Sequence, residues 1–258
     1  MKILISLLSA AVALAAVEFS SSAQISIQAG VTMPQHRQIQ INPLALAEGS
    51  GVGAYAGFDY DIHITDGFSI SPGLFYNFSS VRSGGQLDGV LVDERQEDHM
   101  VNIPVHLKYE FDFKPGKFAM YLYGGPVVAV GISSVLEDAM RFDIVDDNYN
   151  TLYEGLMVDF VYDNYSGVVR SFNVPDLPGV SASDRQLIME NVQKTLDDEQ
   201  MRLSRLDLQL DWGVGFRFLD RLEVRAGYSF GLLDRFFSYY NKYNLKTSQY
   251  YIGLGYRF

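Results

Sequence analysis

Residues 250–258 read YYIGLGYRF. Taking every second residue separates Tyr250, Ile252, Leu254, Tyr256 and Phe258 from Tyr251, Gly253, Gly255 and Arg257. Successive side chains of a strand point to opposite faces. One face of this segment is therefore large and apolar, and the other is small or charged. In a water-soluble sheet the apolar face would look inward. Which way it looks here depends on how many other strands repeat the pattern and on what their polar faces carry.

Seven more segments repeat it. The apolar positions are Ile25 to Met33 in ISIQAGVTM, Val52 to Ile62 in GVGAYAGFDYDI, Phe68 to Phe78 in FSISPGLFYNFS, and Val101 to Phe113 in VNIPVHLKYEFDF. They continue through Phe118 to Val130, Leu206 to Phe218 in LDLQLDWGVGFRF, and Leu222 to Phe230 in RLEVRAGYSFG. Eight strands of about nine to thirteen residues exceed the usual soluble strand of about five or six and match a tilted membrane-crossing strand. The opposite face carries Lys108, Glu110, Asp112, Asp207, Asp211, Arg217, Glu223, Arg225 and Arg257, with Asp59 and Asp61. Long strands with charges on one face and aromatics near the ends of the other predict an all-β fold. It is an eight-stranded antiparallel transmembrane β-barrel, lipid-facing outside and polar inside, closed so that no backbone edge meets lipid.

The intervening stretches alternate in length. HITDG (63–67), KPGK (114–117) and LD (219–220) are short, whereas 34–50, 81–98, about 132–204 and 232–246 are long. Short turns belong on the periplasmic side of an outer membrane and long loops outside, which places both mature termini in the periplasm. Residues 1–23 read as a secretory signal: Lys2 supplies the positive start, Ile3 to Val17 the apolar stretch, and Ser21-Ser22-Ala23 the cleavage site before Gln24. The barrel domain then occupies 24–258.

NIPVHLKYEF, YLYGGPVVAVG, LDLQLDWGVGFRF, LEVRAGYSFGL and the terminal YYIGLGYRF resemble the PorT-like outer-membrane β-barrel family. That family is similar in its I-P-x-x-L-K-Y strand, its G-P step in the next strand and its G-Y-R-F ending. The resemblance covers most of 24–258 apart from a long insert. It implies an outer-membrane location in a Gram-negative cell and admits a role in a protein-secretion apparatus. The ending Tyr250, Ile252, Leu254, Tyr256, Phe258 is similar to the signal read by the barrel-assembly machinery, an expected partner alongside outer-membrane lipids and lipopolysaccharide.

Composition narrows the chemistry. The chain has 17 Tyr, 17 Phe, one Trp and no Cys, which excludes disulfides, thiolate metal sites and cysteine nucleophiles. The four His (His36, His63, His99, His106) follow no metal-ligand spacing, so no cofactor or metal is expected. Net charge is −11, which excludes a general nucleic-acid binder. Inward charges of both signs can pair across strands, giving a plugged interior with His106 as a satisfied lumen residue; a narrow passive channel for small solutes is the alternative. A lipid A-modifying hydrolase would need a Ser–His pair with an acidic partner, and no His-x-Ser triplet occurs. The expected function is therefore non-enzymatic, in a structural, binding or transport-associated role at the cell surface.

Residues 136–200 hold fourteen Asp/Glu against four Lys/Arg, nearly all of the net charge, and define an acidic extracellular insert. MRFDIVDD and GLMVDFVYD are expected to pair as a hairpin extending one barrel wall. SDRQLIMENVQKTLDDEQMRL is expected to be a helix with a Ser183–Gln186 capping box and an Ile188, Val192, Leu196 stripe. Asp146, Asp147 and Asn148 do not reproduce a calcium loop. The insert is read as a cover over the barrel mouth or as a docking surface for a protein partner or divalent cations.

Overall fold

The computed structural model describes residues 24–40, 46–87, 90–145, 150–174, 181–198, 202–236 and 243–258. The predicted signal segment, 1–23, and Asp146, Asp147 and Asn148 lie outside them. The strands are β1 (Gln24–Gln40), β2 (Leu46–Thr65), β3 (Phe68–Leu87), β4 (Val90–Lys114), β5 (Phe118–Val145), β6 (Thr151–Asp163), β7 (Val168–Asn173), β8 (Leu206–Phe218), β9 (Leu222–Gly231) and β10 (Tyr243–Arg257). One helix, α1, spans Ala182–Asp198.

Eight strands close a ring. All neighbours are antiparallel, in the order β1-β2-β3-β4-β5-β8-β9-β10, and β10 returns to β1 through pairs such as Ala29↔Leu254 and Val31↔Ile252. Closure leaves no open edge within the ring, as a hydrocarbon surround demands. The two-residue period sets the faces throughout. Ile27, Val52, Leu107, Leu122, Trp212, Leu222 and Leu254 are exposed outside, while Gln28, Asp59, Lys108, Tyr121, Asp211, Arg225 and Arg257 are buried inside.

The short turns hold one end together. Gly67 and Gly116 sit at φ 79° and 73°, where a side chain would be strained. The third turn is less usual. Leu219 and Asp220 both adopt positive φ (53° and 58°), and the Arg221 N–H donates to the Phe218 carbonyl at 3.1 Å.

At the other end the strands run further than the sequence pattern suggests. Stretches 34–50 and 81–98 are mostly ladder, not loop, with pairs up to Ile39↔Leu46 and Leu87↔Val90. The apolar alternation ends where lipid would end, but backbone pairing continues above it because water does not disfavour a polar strand. β5 is 28 residues long. Its first part pairs with β8 as barrel wall, and its last part pairs with β6 through Met140↔Val158 and Phe142↔Leu156.

The hairpin expected from MRFDIVDD and GLMVDFVYD thus forms, and β7 adds a third strand. Helix α1 lays Ile188, Val192 and Leu196 on this sheet. With Leu136, Phe142, Ile144, Leu156, Val158, Phe160 and Tyr162 they make a core separate from the barrel's interior. The helix begins two residues earlier than a Ser183 cap would give. Ser181 Oγ accepts the Asp184 N–H at 3.2 Å and so is the N-cap, because it precedes the first helical residue, Ala182.

Candidate functional site

The barrel's interior holds buried charges of both signs, and it is layered. Nearest the short turns, Lys108 Nζ on β4 lies 2.9 Å from Asp61 Oδ2 on β2, and Ser71 also donates to Asp61. Arg217 on β8 reaches Glu110 at 2.6 Å and Glu223 at 2.9 Å, while Arg257 stands 3.7 Å from Asp61. One strand alone could not satisfy these ions. Closure of the ring brings β2, β4, β8, β9 and β10 face to face, and buried charges are tolerable only when paired this way.

The next layer is aromatic. Arg225 points into a cage of Tyr55, Phe75, Tyr123 and Tyr251, its guanidinium carbon 4.9–5.8 Å from the four ring centres. It also donates to Asp59 at 3.2 Å and to the Tyr55 hydroxyl at 3.3 Å. The rings fit because the facing positions are glycines. A Cβ on Gly215 would meet Tyr121 at 2.0 Å, one on Gly253 would meet Tyr55 at 2.0 Å, and one on Gly227 would meet Tyr251 at 2.4 Å. The glycines that sequence reading treats as the small face of the last strands are therefore filled sites.

Above the cage, Tyr251 donates to Asp211 at 3.0 Å, and its hydroxyl lies 2.8 Å from that of Tyr123. His106 Nε2 is 3.2 Å from Asp211. Asp207 accepts from Gln209 at 2.9 Å and Thr247 at 3.1 Å. Cavities of about 40 Å³ and 20 Å³ remain among these side chains, each the size of a few water molecules at most.

At the mouth, Arg235 is fully buried. It donates to Asp98 on β4 and to the Tyr165 hydroxyl in the β6–β7 turn, both at 3.0 Å. Burial works against its charge, but Asp98 and Tyr165 raise its pKa further still. Tyr165 lies against Gly131, with Arg205 stacked on its ring at 4.5 Å. Asn164 accepts the Leu203 N–H and donates to Ser134 Oγ. The β6–β7 turn thus packs the insert against the rim, beside the continuous strand β5. In that turn, burial would raise the Asp163 carboxyl, but the N–H groups of Ser166 and Tyr165 and the guanidinium of Arg170 hold it below its ordinary value.

Of the inward residues named from sequence, Lys108, Glu110, Asp207, Asp211, Arg217, Glu223, Arg225 and Arg257 all face the interior. Asp112 does not join them: it is exposed beside the Lys114–Lys117 turn, past the last interior layer. Tyr250, Ile252, Leu254, Tyr256 and Phe258 all point outward. The interior rings of Tyr55, Tyr121 and Tyr123, like Tyr251 on the small face of the last strand, each lie out of phase with the apolar set of their own strand. Arg235 carried no sequence signal, since it lies outside any periodic segment.

A closed ring of antiparallel strands with an apolar outer belt and a charged, side-chain-filled interior defines a membrane-spanning β-barrel. Residues 16–236 match the family described as outer membrane protein beta-barrel domain, and the chain belongs to that family. No curated protein sequence matches it. Among solved structures it is similar to Ail, the attachment invasion locus protein of Yersinia pestis (12% identity, TM-score 0.36, 92% of this chain and 99% of that one). It is likewise similar to Neisserial surface protein A (11%, 0.38, 91% and 97%) and to an outer membrane channel from Pseudomonas putida F1 (9%, 0.29, 93% and 96%).

Proposed function

We propose that the protein is a non-enzymatic, plugged outer-membrane barrel that holds a folded acidic domain at the cell surface as a docking element. The carrying observation is the cross-section: Arg225 and its aromatic cage fill the interior, while residues between Gly131 and Ser204 build a domain with its own core above it. In this orientation the short turns and both mature termini are periplasmic, and residues 1–23 are removed as a signal. Outer-membrane lipids and lipopolysaccharide surround the belt, and the outward ending Tyr250 to Phe258 is what the barrel-assembly machinery reads.

The filled interior weighs against the narrow-channel alternative. The test is conductance of the refolded protein in planar bilayers. No steps above background are expected, and steady unitary currents would refute the plug. Photo-crosslinking from Met189, exposed on α1, in intact cells then asks whether the cap holds a protein partner. The PorT-like motifs, from Ile103 to Tyr109 and at Gly255 to Phe258, carry a second reading in which that partner belongs to a secretion apparatus.

A further inference from the structure

Charge is unevenly divided along the interior. In the layers nearest the short turns, Lys108, Arg217, Arg225 and Arg257 face Asp59, Asp61, Glu110 and Glu223, four against four. Asp207 and Asp211 lie above them, and among the described residues no Lys or Arg forms an ion pair with either. Buried carboxylates without a Lys or Arg in direct contact are costly in a low-dielectric interior, and among the described residues the one basic side chain in contact with Asp211 is His106, at 3.2 Å.

The cavity of about 40 Å³ borders Asp211. Around it Asp211 Oδ1, Asn77 Oδ1, Asn102 Oδ1, Thr32 Oγ1 and His106 Nε2 are buried without a hydrogen-bond partner. Asn77, Thr32 and His106 are each more than nine-tenths buried. Four of these five atoms are oxygens, one of them on a carboxylate, and oxygen-rich sets favour hard cations. Arg225 borders the same cavity but is paired with Asp59 at 3.2 Å, and its charge weighs against a divalent ion more than against a monovalent one. We infer that the upper lumen is a binding site for one small monovalent cation such as Na⁺, held by Asp211 with Asn77, Asn102 and Thr32. It gives Asp211 the direct ion pair that no described Lys or Arg provides.

The test uses the full mature chain refolded in zwitterionic detergent. Urea midpoints are measured with NaCl replacing choline chloride at constant ionic strength, choline being too large for the cavity. For a site of about 10 mM affinity, 100 mM Na⁺ multiplies the folded-to-unfolded ratio by about eleven. The gain should vanish in Asp211→Asn and persist in Asp112→Asn, whose carboxylate is exposed. Should Asp211→Asn not fold, crystals of the native chain in a thallium(I) salt give the second readout, an anomalous peak between Asp211 and Asn77. Equal midpoints in the two salts, or a thallium map without that peak, overturns the assignment.

Discussion

Gly215→Ala is the substitution that most directly probes the filled interior. The added Cβ would lie 2.0 Å from Tyr121 Cζ and 2.4 Å from its hydroxyl oxygen, so ordinary contact requires a retreat of about 1.4 Å. The ring has no free side to move to. Lys108 Nζ lies 4.1 Å from its centre, Arg217 lies 5.7 Å away, and the hydroxyl donates to Glu223 at 3.4 Å. Overpacking of this kind costs about 1–3 kcal/mol, and a weakened hydrogen bond to a carboxylate adds about 1 kcal/mol. The expected loss of about 2–4 kcal/mol corresponds to roughly thirty- to seven-hundred-fold in the folding constant. The assay is urea unfolding in detergent or liposomes, read by gel mobility and by Trp212, which is the sole tryptophan and lies on the outer face. Tyr121→Ala removes the obstacle at its own cost. The double variant should therefore be less unstable than the two single effects added, by about 1–3 kcal/mol. Strict additivity, or a neutral Gly215→Ala, would refute the interlocking of ring and glycine.

Leu254→Arg, on the outer face opposite Ala29, should cost about 2–4 kcal/mol if it lies near the bilayer midplane, measured by refolding yield into liposomes; no loss would mean the faces are reversed. Replacing Leu219-Asp220 by Asn-Gly should raise the urea midpoint, since both residues sit at positive φ, by about 1 kcal/mol; a lower midpoint would count against the turn. Exchanging residues 132–204 for a short Gly/Ser link should leave a folded, heat-modifiable barrel, because the Gly131 N–H already bonds the Arg205 carbonyl at 2.6 Å and closure of a short loop costs little. That shortened barrel should remain non-conducting, because Arg225 and its cage are untouched. Asp163, held below its unfolded value of 3.8, should stabilise the cap above that pH and lose the effect as pH falls through its lowered folded pKa; protease sensitivity of the β6–β7 turn on acidification reads this, and Asp163→Asn should flatten it.

The faces of all eight barrel strands were legible because lipid and lumen impose opposite demands on alternate residues. Leu208 and Asp207 could not exchange places without cost. The helix stripe Ile188, Val192, Leu196 was legible for the same kind of reason. What the period does not encode is the size of the partner on the neighbouring strand. Tyr121 and Tyr123 belong inside because Gly215 and Gly213 stand opposite them on β8, a relation between residues ninety or more positions apart. Strand extension above the membrane was missed because paired backbone in water needs no apolar alternation. Arg235 was missed because its role is set by Asp98 and Tyr165, which only closure of the ring brings to it.

Strand β5 passes from Phe118 beside a short turn to Val145 inside the cap without leaving the ladder. At about 3.3 Å per residue it is a single ribbon of roughly 90 Å, bonded to β4 and β8 below and to β6 above. A tether pulling on the cap would therefore act on no flexible linker. The pull would run lengthwise along β5 and be resisted in shear by many backbone hydrogen bonds at once, so the membrane-embedded wall itself becomes the anchor for whatever the cap grips.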